Sequence, residues 1–177
     1  MIQLIVTGML GLFSFFAGPA GPYPDGNVLL QANRIQKPPA QGLPVSGGPV
    51  WLASMDSALQ QAGREHKCIL LNFSGSDWCI PCISLRREVF ETEVFRRYAA
   101  DHLILVNADF PRNRKNRLPA AQEKRNEQLA DRYNPEGHFP YTLLLDNQGR
   151  PLRTWDGFYS KGPRYFTEEI SEAATAR

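Results

Sequence analysis

Apolar positions fall into short separated blocks along the latter part of the chain, and their period changes from block to block. Trp51, Met55, Leu59 and Ala62 recur every three or four residues, with Leu52 and Ala58 beside them. That spacing predicts an amphipathic helix ending near Gly63. "CILLNF", Cys68–Phe73, is a continuous apolar run of strand length, as for a strand covered on both faces. "GSD" breaks the run. A helix then starts at or just after Cys79 and continues through Leu85, Val89 and Phe90, and Thr92 can cap a further turn carrying Val94, Phe95 and Tyr98. "LILVNAD", Leu103–Asp109, reads as a second buried strand. A polar loop with Arg112, Arg114, Lys115 and Arg117 leads to a helix from about Pro119 to Tyr133. "YTLLLDNQGRPLRTWDGF" predicts a hairpin, Tyr141–Leu145, a "DNQG" turn and Pro151–Trp155. A last helix, from about Pro163 to Ala174, puts Phe166, Ile170 and Ala173 on one face.

The order is helix, strand, helix, strand, helix, strand, strand, helix. Strands separated by helices are expected to pair in parallel, with the hairpin as an antiparallel edge. The fold class is therefore α/β, a mixed central sheet with helices on both faces. Trp155 and Phe158 read as sheet and core aromatics. This organisation occupies residues 50–177 as one domain.

The remainder of the chain has another character. Residues 1–20, "MIQLIVTGMLGLFSFFAGPA", carry no charged side chain and end in small residues. They fit the apolar region and cleavage zone of a signal peptide, cleaved near Ala20 rather than retained as an anchor. The run is short for a membrane span, which takes roughly 18 or more apolar residues. Residues 21–49 are rich in Pro and Gly and read as a linker, with Val28–Ile35 its one short apolar segment. Export to a periplasm or cell envelope is the expectation.

Composition then narrows the chemistry. A net charge of +2 over 177 residues predicts no nucleic-acid partner. Three cysteines are too few for a disulfide scaffold. Their placement carries the information: "GSDWCIPCISLRREVF" sets Cys79 and Cys82 three positions apart, after a strand and at the start of a helix. A zinc site wants four ligands, and Cys68, His66, His102 and His138 supply no second pair at ligand spacing, so no metal is expected. A structural disulfide over so short a loop removes little chain entropy. A redox role accounts for more. Cys79 at the helix N-terminus meets unpaired N–H groups that favour a thiolate and make it the attacking sulfur. Cys82, one turn in and more shielded, can resolve the mixed disulfide. Pro81 stiffens the turn without costing a helix hydrogen bond, and Trp78 provides a flat apolar surface beside the exposed sulfur of Cys79.

"WCIPC" between an apolar strand and a helix resembles the active site of the thioredoxin superfamily. "HFPYTLLLDNQGR" resembles the segment in which a thioredoxin's cis-proline precedes the hairpin. "GSDWCIPC", "EVFETEVFRRY" and "VNADFPR" are similar to exported thioredoxin-like proteins related to the C-terminal domain of the transmembrane reductase DsbD. The resemblance covers roughly residues 50–175. It implies a thioredoxin fold, with Pro140 as the cis-proline opposite Cys79 and Phe139 presenting its backbone to substrate. Ile80 and Pro81 complete the motif; proline in second place, as in thioredoxin, leans towards a reductant or isomerase over a strong oxidant. Thioredoxins carry a buried acid where this chain has Asn72, with one extra residue before the motif here, and its basic partner is absent from "LILV". Asp77 and His138 are candidate modulators of the thiols.

The implied activity is thiol–disulfide exchange on protein thiols and disulfides, with a membrane protein as electron donor. No cofactor beyond the Cys79–Cys82 pair is expected. The alternative is a non-enzymatic peptide-binding or assembly module with a structural disulfide. Cys68 reads as a core residue, His138 as a loop residue, and the 112–117 cations as a solvated face or a docking site for an acidic partner.

Overall fold

The computed structural model describes residues 49–176; the leader and the linker up to residue 48, including Val28–Ile35, lie outside the described residues. Five strands form one mixed sheet in the order β1–β3–β2–β4–β5. They are β1 (Trp51–Leu52), β2 (Cys68–Ser74), β3 (Leu103–Asp109), β4 (Tyr141–Leu145) and β5 (Pro151–Asp156). The helices are α1 (Met55–Glu65), α2 (Ile80–Leu85), α3 (Glu93–His102), α4 (Ala120–Tyr133) and α5 (Pro163–Thr175). A π-helical turn, Arg86–Phe90, extends α2, and a single 3-10 turn covers Arg114–Asn116.

Alternation along the central strands sorts the core into two layers. Leu70, Leu105 and Leu144 face Leu85, Val89, Phe90, Phe95, Phe166 and Ile170, so α2, its π turn, α3 and α5 cover one side. Ile69, Leu71, Phe73, Ile104 and Val106 face Ala58, Ala62, Leu129 and Tyr133, so α1 and α4 cover the other. β2 is buried along its whole length, as a strand with helices on both faces must be. The Thr92 hydroxyl accepts from Phe95 N–H and caps α3 as expected.

Three sequence expectations are corrected. Trp51 and Leu52 are not helical: they pair in parallel with Leu105 and Val106. Ser54 is the N-cap of α1, its hydroxyl accepting from Ser57 N–H, so the helix begins only at Met55. The helical spacing of Trp51 with Met55 is coincidental, since Trp51 and Leu52 pack on opposite faces of the sheet as strand neighbours do. Secondly, β4 follows a helix yet runs antiparallel to β2, with Tyr141 opposite Phe73. A helix between two strands imposes parallel pairing only when the chain returns to the end where the first strand began. Here it enters β4 beside the end of β2. Thirdly, Phe158 is exposed while Trp155 is core, because β5 ends at Asp156 and the chain turns out of the sheet at Gly157, whose φ is 80°.

The hairpin and α5 are joined by one carboxylate. Glu169 accepts from Trp155 Nε1 (2.9 Å), Arg153 (2.7 Å), Tyr159 OH (2.9 Å) and Lys161 (3.2 Å). The Trp155 bond, then those of Tyr159 and Lys161, outweigh the cost of burial and hold its carboxyl down from the ordinary 4.5 to about 2. Burial first, and then the carboxylate, push the Tyr159 phenol up to about 12. A depressed acid stabilises the fold above its unfolded pKa and stops doing so as pH falls through its folded value. Glu169→Gln is therefore expected to lose about 1–3 kcal/mol at pH 7. Urea unfolding at pH 7 and at pH 3 checks this: the gap between wild type and variant should narrow at the lower pH.

Candidate active site

The loop between β2 and α2 is built on Gly75, whose carbonyl accepts from Trp78 N–H (3.3 Å) and Cys79 N–H (2.9 Å). This tight turn delivers Cys79 to the N-cap of α2, with Ile80 and Pro81 in the first turn, where proline's missing N–H costs nothing. Cys79 and Cys82 form a disulfide with Cα atoms 5.2 Å apart. Cys82 N–H donates to Cys79 Sγ at 3.2 Å, so the cap sulfur already receives one of the helix's unpaired donors. The contrast expected between an exposed Cys79 and a shielded Cys82 is absent: they are 4% and 5% exposed. In the oxidised protein both sulfurs are tied to the start of one helix, and the residue that protrudes is Ile80, 71% exposed.

Trp78 is held from four sides. Its Nε1 donates to Phe110 O at 2.7 Å, and Gly75 lies against the indole so closely that a Cβ there would overlap it. Arg112 stacks with its guanidinium carbon 3.6 Å from the ring centroid, and Phe139 makes an edge contact at 5.5 Å. Phe110 also meets Phe139 edge-on at 5.4 Å. Trp78, Phe139 and Phe110 thus form one aromatic rim beside the disulfide.

The Phe139–Pro140 peptide is cis, as the resemblance implies, and Pro140 immediately precedes the β4 residue opposite the end of β2. Asn134 shapes this approach: its side chain accepts from His138 N–H and donates to His138 O, both at 2.9 Å. The His138 ring itself faces carboxylates, with Nδ1 2.8 Å from Asp156 and Nε2 3.2 Å from Glu136.

Asp77 is committed to the neighbouring loop. Its carboxylate accepts from Arg112 N–H, Asn113 N–H and Asn116 Nδ2 within 3.0 Å. Those bonds, the Arg112 backbone donor foremost, lower its pKa. The cationic loop is thereby clamped to the active-site turn, which is how Arg112 reaches Trp78. Cys68 is buried in the core layer under α3 and α5.

Behind the cysteines the register corrects the search for a strand partner of Asn72. Its neighbour on β3 is Asn107, one residue beyond "LILV". Asn72 Nδ2 donates to Asn107 Oδ1 (2.8 Å), and Asn72 Oδ1 accepts from the Thr142 hydroxyl (3.0 Å). The Ser74 hydroxyl lies 3.2 Å from Asn107 Oδ1 and 3.1 Å from Asp109 Oδ1. A neutral amide pair thus joins β2 to β3 beside Cys82.

Sequence reasoning missed Gly75, Asn107 and Phe110, and it named Arg112 only as part of a cationic loop, without its place on Trp78. "GSDWC" does carry a signal for Gly75, a small residue directly before a large aromatic in a tight turn; the others depend on β3 and its following loop lying beside the motif.

The fold and the helix-capping disulfide define a thiol–disulfide oxidoreductase built on a mixed sheet with helices on both faces. The sequence pattern of thioredoxin-like proteins matches residues 50–146. The disulfide bond reductase DsbH of Chlamydia pneumoniae is 31% identical over 137 residues, 77% of this chain and 80% of that protein. The chain belongs to the thioredoxin superfamily. A solved DsbH oxidoreductase superposes with a TM-score of 0.67 at 30% identity, covering 74% of this chain and 88% of that one. The C-terminal domain of Neisseria meningitidis DsbD, at 18% identity and a TM-score of 0.50, covers 72% of this chain and 99% of its own, a likeness of fold alone.

Proposed function

We propose that the protein reduces disulfides in partner proteins of the cell envelope, with Cys79 attacking and Cys82 resolving. The observation that carries this is the Cys79 sulfur at the cap of α2, receiving Cys82 N–H where a thiolate would form on reduction. Exposed Ile80 and the rim of Trp78 and Phe139 supply an apolar seat for a peptide, and Phe139 with Pro140 presents the backbone edge to it. Arg112, stacked on Trp78, places a positive charge at the margin of that seat. No cofactor is required, because two electrons reside in the dithiol. The reducing direction is supported by Pro81 in second place and by the reductase name of the 31% identical relative. A reductant outside the cytoplasm must be recharged, so a membrane electron donor is part of the proposal; among the described residues no helix is long and apolar enough to cross a membrane.

The test is the reduction potential of the pair, measured by equilibration in dithiothreitol or glutathione buffers and alkylation of free thiols. A value near about −250 mV or below is expected, close to thioredoxin. A value between about −120 and −180 mV would assign the protein to making or shuffling disulfides instead.

A further inference from the structure

The neutral Asn72–Asn107 pair raises a chemical question. When Cys82 resolves a mixed disulfide its thiol must lose a proton, and no buried carboxylate stands behind it. What does stand there is a groove of about 850 Å³, bordered by Cys82, Asn72, Ser74, Asn107 and Arg96 and open to solvent. The charges around it can be enumerated element by element. The α2 segment contributes none. The π turn contributes Arg86, which lines the groove and is neutralised there by Glu91, also on its wall, at 2.7 Å, and Arg87, paired on the surface with Glu88 at 2.8 Å. From β3 comes Asp109, whose carboxylate accepts from the Ser74 hydroxyl, Ser76 N–H and the Ser76 hydroxyl. Asp77 is tied into the 112–116 loop. Arg96, from α3, is half-buried, and its guanidinium makes no hydrogen bond or ion pair among the described residues. An unpaired, partly desolvated cation in a groove that also carries the apolar side chains of Trp51, Ile83 and Phe90 seeks negative charge. The groove contains one group that becomes negative during the reaction.

We propose that Arg96 stabilises the Cys82 thiolate across this groove, in place of a buried acid that would collect its proton. This rests on the reading above that Cys82 resolves. In the step, Cys82 has given its proton to groove water. The thiolate attacks Cys79 Sγ, the Cys79–Cys82 bond forms, and the bond from Cys79 to the substrate sulfur breaks. The substrate leaves as a thiolate and is protonated from solvent. Two electrons have passed from the dithiol to the substrate. Arg96 acts on Cys82 and does not touch substrate. The neutral amides behind Cys82 are then part of the same device: a carboxylate at position 72 would oppose the thiolate that Arg96 favours.

The experiment uses the full chain. In a Cys79→Ser background, thiolate absorbance against pH gives the Cys82 pKa with Arg96 intact, in Arg96→Gln, in Arg96→Lys and in Glu91→Gln; Cys68 is common to all four. Arg96→Gln is expected to raise the value by about one pH unit, and Arg96→Lys to keep it near the parent. With both cysteines present, single-turnover release of the second thiol from a disulfide-linked peptide should slow roughly tenfold at pH 7 in Arg96→Gln, its pH profile displaced upward by the same amount. Unchanged titration and release profiles in Arg96→Gln overturn the proposal, as does a shift caused by Glu91→Gln and not by Arg96→Gln. If the parent never forms a peptide adduct on Cys79, the resolving role itself falls, a result separable from a normal adduct that resolves independently of Arg96.

Discussion

Serine at position 79 is expected to reduce insulin turnover with dithiothreitol to the uncatalysed rate, while serine at position 82 is expected to trap substrate as a covalent adduct. The asymmetry follows from the two environments. Cys79 Sγ sits at the N-cap of α2 and receives Cys82 N–H at 3.2 Å, so its thiolate has a donor waiting for it. A serine hydroxyl in that place remains protonated at neutral pH and forms no exchangeable bond to sulfur. Cys82 lies one turn into the helix, where it meets the groove rather than the peptide seat. Without it, the bond between Cys79 and substrate has nothing to displace it. Mass spectrometry after quenching checks the adduct, and insulin turbidity checks the rate. Turnover retained in Cys79→Ser, with adducts forming on Cys82, would reverse the two roles.

Gly75→Val carries the second large effect, and it reaches the site through Trp78. Any Cβ at position 75 overlaps the indole, so the ring must leave its place. Leaving it breaks the bond from Nε1 to Phe110 O, the stack with Arg112 and the edge contact with Phe139. One hydrogen bond, one cation–π contact and one aromatic pair are each worth on the order of 1 kcal/mol, so a loss of about 2–3 kcal/mol is expected. Peptide reduction should fall as well, since the rim beside the disulfide loses its central member. The decisive comparison is a double-mutant cycle with Trp78→Ala. Once the indole is absent, valine at position 75 should cost much less in urea unfolding. Equal costs in the two backgrounds would show that the backbone, not the indole, is what requires glycine.

Much of this could be read along the chain because it is local. Period and length identified β2, β3, the hairpin and α3–α5, since burial on one face or two writes itself into neighbouring residues. The Cys79–Cys82 spacing at a strand-to-helix junction named the chemistry, because helix-cap electrostatics acts within one turn. Expectations failed where the determinant was distant. Trp51 and Leu52 matched a helical spacing but were claimed by the edge of β3, and β4 reversed its direction according to the end of the sheet at which the chain re-entered. Asp77, a candidate modulator of the thiols, also clamps a loop about 35 residues further on, a contact that spacing along the chain does not show. Asn72 alone signalled a missing acid. Its pairing with Asn107, and the unpaired Arg96 across the groove, depend on strand register and on how α3 packs. Residues i to i+4 thus indicated which two sulfurs pair. Which charges surround those sulfurs was settled by contacts between residues far apart in the chain, because electrostatic influence depends on distance through space and burial, and neither is written in sequence separation.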